Sequence, residues 1–148
     1  MLDLQYIIKE SGPLEAFEVA AAIPEFGNNA YDLQEYQKRL TSPSLVLTAY
    51  SDTQAVGFKA GYQRGDPKSF YSWMGGVLPD YRRKGLAREL AVQQEAWARS
   101  HGFERIWFKT RNRNRAMLHF ALDNDFYIRE VIPKIQPADY RIILEKKL

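Results

Sequence analysis

The segment Val77-Leu78-Pro79-Asp80-Tyr81-Arg82-Arg83-Lys84-Gly85-Leu86-Ala87 limits what this chain can become more than any other stretch. It reads as the end of an apolar strand, a loop with three consecutive cations, and then Gly-x-Ala opening a long amphipathic helix. The first amides of a helix have no intrahelical acceptor, and the helix dipole adds partial positive charge there. A glycine at the entry lets the backbone approach a ligand with no Cβ in the way, and Ala87 keeps the next position small. Strand, basic loop, glycine and helix start, in that order, are what binding a diphosphate requires.

The remainder of the chain supplies layers to hold that loop. Leu2, Leu4, Tyr6 and Ile8 alternate as in a half-buried strand. Ser11-Gly12-Pro13 breaks it and starts a helix over 14–23; residues 24–29 form a loop, and a second helix over 31–40 ends at Ser42-Pro43. Strands over 45–50, 55–62 and 69–77, separated by turn residues at 51–54 and 64–67, make an antiparallel meander. From Leu86 the period becomes helical, with Ala87, Leu90, Ala91, Gln94, Trp97 and Ala98 on one face and Gly102 as the stop. A strand over 104–110, a helix over 114–124, a strand over 126–132, a bridge over 133–139 and a strand over 140–146 complete the chain. The strand–helix–strand unit of 69–110 implies parallel neighbours joined by a right-handed crossover. The order β-α-α-β-β-β-α-β-α-β-β predicts an α+β (layered α/β) fold around one mixed sheet. No repeat or linker interrupts it, so 1–148 reads as one domain.

Charge is distributed unevenly. Residues 82–115 hold ten Lys/Arg against three Asp/Glu, although the net charge of the chain is only +3. A basic segment against an acidic remainder suits a polyanionic ligand at one face and a cationic substrate approaching from the other. Cysteine is absent, which excludes disulfides, thiolate nucleophiles and cysteine metal sites. No metal cluster is expected from two distant histidines. There is no apolar run of about 18 residues and no charged-then-apolar leader, so no membrane span is expected and a cytoplasmic location is.

The basic loop resembles the pyrophosphate loop of the GNAT superfamily of N-acetyltransferases, Gln/Arg-x-x-Gly-x-Gly/Ala, with Arg82, Gly85 and Ala87 at the defined positions and Val77-x-Pro79 as the lead-in. A second family signature, Asn-x-x-Ala/Met-Leu/Ile followed by a helix and Gly-Phe, is matched by Asn114-Arg115-Ala116-Met117-Leu118 and by Asp125-Phe126. The resemblance covers roughly residues 44–132 and implies a mixed, mostly antiparallel sheet of about seven strands flanked by about four helices. Two positions depart from it. Ala121 stands where the family often has the tyrosine that protonates the departing coenzyme A thiolate, and Asp125 replaces the glycine that ends the helix. His119, about 200° around the helix from Ala121 at about 100° per residue, cannot simply replace that tyrosine.

What the resemblance implies is transfer of acetyl from acetyl-CoA, as cosubstrate, to a primary amine by direct attack in a ternary complex. The coenzyme would contact Gly76, Val77 and Leu78 at the strand end, Arg82, Arg83, Lys84, Gly85, Leu86, Ala87 and Arg88 in the loop and first helical turn, and Asn114 and Met117 downstream. Low side-chain bulk at Gly75-Gly76-Val77 permits the pantetheine to pair like an added strand, and a bulge there would expose amides. The Val77 N–H is the expected oxyanion donor, and Glu25 is the candidate base. Asn114 serves the pantetheine, caps its helix, or both. Tyr31, Tyr62, Tyr71 and Trp73 line an acceptor pocket or pack the core. His101 is expected to stabilise a helix end. Binding of coenzyme A without catalysis is the alternative that Ala121 raises. Lys109, Arg111, Arg113 and Arg115 beside aromatics raise a nucleic-acid module as a rival, although a small amine is the expected partner and nucleic acid is not. The acidic remainder favours a small amine or amino-acid-like acceptor over a peptide or protein one (a protein N-terminus or lysine), and an exposed C-terminal strand would permit a homodimer.

Overall fold

Runs rich in β-branched and aromatic residues order themselves into a sheet because successive side chains of a strand point to opposite faces, and the central strands bury residues on both. The computed structural model describes residues 5–29 and 31–148. The strands are β1 Tyr6–Glu10, β2 Ser44–Ser51, β3 Gln54–Gln63, β4 Ser69–Val77, β5 Arg105–Arg111, β6 Tyr127–Ile132 and β7 Arg141–Lys147. The helices are α1 Pro13–Ala21, α2 Leu33–Arg39, α3 Leu86–Ser100 and α4 Arg115–Asp123, with short 3-10 segments at Pro24–Asn29, Pro79–Tyr81 and Pro137–Asp139. Each element foreseen from periodicity is present within a few residues of its expected bounds. Leu2 and Leu4 of the first alternating run lie outside the described residues.

Among the described residues the seven strands form one sheet in the order β1-β2-β3-β4-β5-β7-β6. All neighbours are antiparallel except β4 and β5, which run parallel. The C-terminal strand was expected at an exposed edge. It lies instead between β5 and β6, because Ile142 and Leu144 are buried on one face and Ile143 on the other. The edge on that side belongs to β6, where Tyr127, Ile128 and Val131 are exposed, and β1 forms the other edge.

The sheet separates two apolar layers. On one face Leu86, Leu90 and Ala98 of α3 and Ala121 of α4 pack with Leu47, Phe70, Val77, Ile106 and Leu144. On the other, Ala16, Val19 and Ala20 of α1 and Tyr36 of α2 pack with Val46, Phe58 and Ala60. That layer continues into Tyr71, Trp107 and Ile143, with Tyr62 and Trp73 against both clusters. The helix face read for α3 holds at Leu90, Gln94 and Ala98, which are buried, and differs at its first position. Leu86 is buried and Ala87 is exposed, so Leu86 anchors the helix start to the sheet.

Candidate active site

Two departures from a regular sheet shape its centre. The first is a bulge: Ala60 pairs with Met74 and Gly61 with Ser72, leaving Trp73 as the extra residue of β4. The expected bulge site was Gly75-Gly76-Val77; the observed one lies just upstream, opposite Gly61. A Cβ on Gly61 would stand 2.5 Å from the Tyr71 carbonyl oxygen and 2.5 Å from the Phe70 ring, so only glycine fits beside the bulged strand. The extra residue changes the phase of β4. Tyr71, Trp73 and Met74 pack on the α1–α2 face, whereas Val77 packs under α3.

The second departure is a gap. β4 and β5 pair only from Ser69–Arg105 to Tyr71–Trp107 and then part. Leu78 N–H donates to the Val56 carbonyl at 2.8 Å, so by the alternation of an antiparallel ladder the Val77–Gly57 pair is a non-hydrogen-bonded one. The N–H and C=O of Val77 therefore point away from β3, into the gap. Of the strand-end residues expected at a ligand, Val77 can present a backbone donor there, while the amide of Leu78 is already used. Gly76 contributes space: a Cβ on it would lie 2.6 Å from Ile23 Cδ1.

Past β4 the chain makes a 3-10 turn and enters the basic loop. Arg83 has φ 61° and Gly85 φ 87°, both left-handed, and Gly85 occupies the N-cap of α3 without a side-chain cap. Turns of this kind can aim successive N–H groups to one side, as in anion-binding concavities. The amides of residues 83–88 find no backbone acceptor among the described residues, and the first intrahelical bond runs from Glu89 N–H to the Gly85 carbonyl. Arg82 differs from its neighbours. Its Nε donates to the Val77 carbonyl at 2.8 Å, and its guanidinium pairs with Glu25 at 2.6 Å. Glu25, from the 3-10 segment after α1, thus reaches the mouth of the gap already engaged. The Arg82 hydrogen bond, helped by a backbone N–H, holds its carboxyl below the usual range, which makes it a weaker base than a free carboxylate. Tyr81 supports the loop from beneath, edge-on to Tyr6 and hydrogen-bonded to Gln54.

Downstream, Asn114 stands at the N-cap of α4 but makes no cap bond; its Nδ2 donates to Thr110 Oγ1 at 3.0 Å. Met117 is partly exposed on the same helix. Ala121 is fully buried against the sheet, so that position offers the gap no proton donor. Asp125 takes the left-handed conformation (φ 70°) of the glycine it replaces. His101 stacks on Trp97 and its Nδ1 bonds the Trp97 carbonyl at 2.8 Å, closing the end of α3.

On the face opposite α3, where β4 and β5 begin to part, lies a cavity of about 380 Å³. Its aromatic lining is Tyr31, Tyr71 and Trp73, three of the four aromatics expected there; Tyr62 packs edge-on against Tyr71 and Trp73 behind them. The charged lining is Arg39, Arg64, Lys109, Lys134 and Arg141, with no carboxylate among the lining residues. The lining is thus opposite in sign to the acidic surface that the charge distribution along the chain suggested for a cationic acceptor. The Arg39 guanidinium lies 4.8 Å from the Trp73 ring and is held by Glu35 at 2.7 Å. Arg64 and Lys109 both lie over Tyr71, at 5.0 and 5.7 Å. Burial, and then the charges of Arg64, Arg141 and Arg39, push the Lys109 ammonium below its ordinary pKa. None of these cations was singled out as an acceptor residue from the sequence. The parity of β5 and β7 carried the signal, since Lys109 pairs with Ile143 on the face that Trp107 also uses.

Comparison with known proteins places this geometry. An aminoglycoside N(6')-acetyltransferase type 1 from Acinetobacter genomosp. 13 is 43% identical over 79 residues, 47% of this chain and 54% of that protein. The chain spans about half the length of the curated relatives it matches. Ard1 from Thermoplasma volcanium superposes with a TM-score of 0.85 at 15% identity, covering 98% of this chain and 99% of that one. PaiA N-acetyltransferase from Thermoplasma acidophilum, solved in complex with coenzyme A, superposes with a TM-score of 0.71 at 17% identity, covering 97% and 99%. At such identities the likeness establishes the fold. A sequence model of the acetyltransferase (GNAT) family matches residues 14–126, from the first helix to the buried Phe126 that follows α4. That match takes in the parted strands and the basic loop together, and by it the chain belongs to the acetyltransferase (GNAT) family.

Proposed function

We propose that this chain is an acetyl-CoA-dependent N-acetyltransferase that transfers acetyl to a primary amine of a small molecule by direct attack in a ternary complex. One observation carries the reading. The gap between β4 and β5 has, beside one face, the amides of residues 83–88, which find no backbone acceptor among the described residues, and a cavity of small-molecule size on the other. The family membership and a relative named for N-acetylating a small amine support it.

In this reading the diphosphate of the coenzyme rests on the amides of residues 83–88, where the N-terminus of α3 favours negative charge. Arg83, Lys84 and Arg88 add attraction from the surface. The pantetheine lies in the gap along β4, presenting the thioester to Val77. An amine entering through the opposite cavity meets the thioester carbonyl where the two strands separate. The C–N bond forms as the C–S bond breaks. Of the two protons the acceptor ammonium loses, one goes to solvent and one restores the thiol. The Val77 N–H donates to the oxygen that gains charge, an interaction of a kind worth about 3–4 kcal/mol in the transition state. Glu25 positions Arg82, which fixes the Val77 carbonyl and so the aim of its N–H. With Ala121 buried, water supplies the proton to the thiolate.

Calorimetric titration with acetyl-CoA and a thiol-release assay over an amine panel test this. Saturable binding together with amine-dependent thiol release and an N-acetylated product is expected. Binding with no release from any amine would favour a coenzyme A binder without catalysis, and no binding at all refutes the reading.

A further inference from the structure

We infer that the acceptor is a small amine that also carries carboxylate or phosphate groups, which Arg64, Lys109 and Arg141 hold on the aromatic floor of the cavity. The inference rests on the reading of the gap as an acetyl-transfer site and names the substrate class of that site.

The carrying observation is a set of converging cations with no counter-charge. Among the described residues, Arg64, Lys109, Lys134 and Arg141 form no ion pair, although Arg39 beside them is neutralised by Glu35. Unpaired cations on an open surface need no explanation, since water screens them. These are drawn together instead, with Arg64 and Lys109 over the same Tyr71 ring, inside a cavity whose lining has no carboxylate. Like charges gathered in this way are relieved by an anion that binds among them.

The phosphates of the coenzyme cannot be that anion. Tyr71, Trp107 and Ile143 place the cavity on the face opposite α3, so the sheet stands between it and the basic loop. The volume, near the low end for ligand pockets, suits a molecule of amino-acid size. Aminoglycosides, which give the partly matching relatives their name, carry several ammonium groups and would meet like charge here.

The test is a tryptophan-fluorescence titration of coenzyme-A-saturated protein, reporting through Trp73 and Trp107 at or beside the cavity. The probes are glutamate, glutamine and glutaminamide, which carry two, one and no carboxylates, then phosphoethanolamine against ethanolamine, and the aminoglycoside kanamycin. Affinity is expected to rise about ten-fold or more per added anionic group, the size of one charge-assisted hydrogen bond. Glutamate alone responding assigns a carboxylate acceptor; phosphoethanolamine alone responding assigns a phosphate; both outcomes support the inference. Lys109→Gln and Arg141→Gln should each remove most of the preference while calorimetric coenzyme A binding is retained. Equal affinity across the carboxylate series, or kanamycin binding tighter than every anionic amine, overturns it. If coenzyme A fails to bind, the acetyl-transfer reading falls, yet the same titration on the unloaded protein still decides the charge preference of the cavity.

Discussion

Gly85 is where a single charge can report on the phosphate loop. It caps α3 with φ 87° and ψ 2°, in line with the free amides that follow it. Asn and Asp have the same shape and tolerate left-handed backbone better than other non-glycine residues, so Gly85→Asn and Gly85→Asp share a strain of about 1 kcal/mol. For a chain of this length that lowers Tm by roughly 2–4 °C in each variant. Without ligand, the Asp variant should be at least as stable as the Asn one, because a carboxylate at a helix N-terminus is favoured. With coenzyme A the order should reverse. A carboxylate about 5 Å from a phosphate repels it by about 3 kcal/mol at an effective dielectric of about 20, and exposure to water and salt leaves about 1–2 kcal/mol of that. Affinity then falls roughly five- to thirty-fold from Asn to Asp. In scanning fluorimetry at a coenzyme A concentration of about 100 times the wild-type Kd, native protein should gain about 2.7 kcal/mol, or roughly 5–10 °C. The Asp variant should gain about 3–6 °C less than the Asn variant, and the difference should shrink as salt is added. Equal ligand-induced shifts in the two variants would refute the placement of the diphosphate at this helix start.

Four further outcomes follow from particular contacts. Glu25→Gln should lower kcat by no more than about ten-fold and leave its pH profile in place, since Glu25 holds Arg82; a loss of about a hundred-fold or more with a changed profile would show it to be the base. Gly61→Ala should cost about 1–3 kcal/mol, because the Tyr71 carbonyl at 2.5 Å is backbone and cannot yield, and a thermal melt with unchanged Tm would contradict the bulge geometry. Gln94 is fully buried on α3 and neither amide atom has a partner, so Gln94→Met should raise stability by about 1–2 kcal/mol; a lower denaturation midpoint would reveal a bound partner in solution. Lys109 has a lowered pKa, so it loses its proton below the ordinary lysine range while Arg39, Arg64 and Arg141 stay charged and Tyr71, pushed up by burial, stays neutral longer. Affinity for succinate, whose own charge is constant above about pH 7, should therefore fall as pH rises through that pKa. The fall should be absent in Lys109→Arg, and a pH-independent native affinity would contradict the role of Lys109. The same shift has a stability consequence of opposite sign. Folded Lys109 holds its proton less tightly than the unfolded side chain, so its unfavourable contribution is full at neutral pH and is relieved between its lowered pKa and the unfolded one.

The basic loop was readable because its parts are contiguous: strand end, cations, glycine and helix start follow one another in the chain and need no tertiary partner to be recognised. The meander and the helices were readable for the same reason, as each shows its own period over a single run. Trp73 marks where such reading fails. One extra residue inverts which side chains of β4 face α3, and the room for it is left by Gly61 on the neighbouring strand. The position of β7 was missed because the exchange with β6 is decided by burial on both faces, which a strand pattern states and chain order hides. The cavity opposite α3 was hardest to foresee. Arg39, Arg64, Lys109, Lys134 and Arg141 come from α2, the β3–β4 turn, β5, the segment after β6 and β7, and only the parting of β4 and β5 gathers them. The net charge distribution along the chain pointed to an acidic surface away from the basic loop, whereas the fold gathers these cations at the cavity opposite α3.

A crystal structure of the protein with coenzyme A bound tests the central claim most directly. The diphosphate is expected on the amides of residues 83–88, the pantetheine along β4 within hydrogen-bonding distance of the Val77 backbone, and the cavity lined by Lys109 and Arg141 free of the coenzyme. Coenzyme phosphates seated among Arg64, Lys109 and Arg141, on the face away from α3, would contradict it.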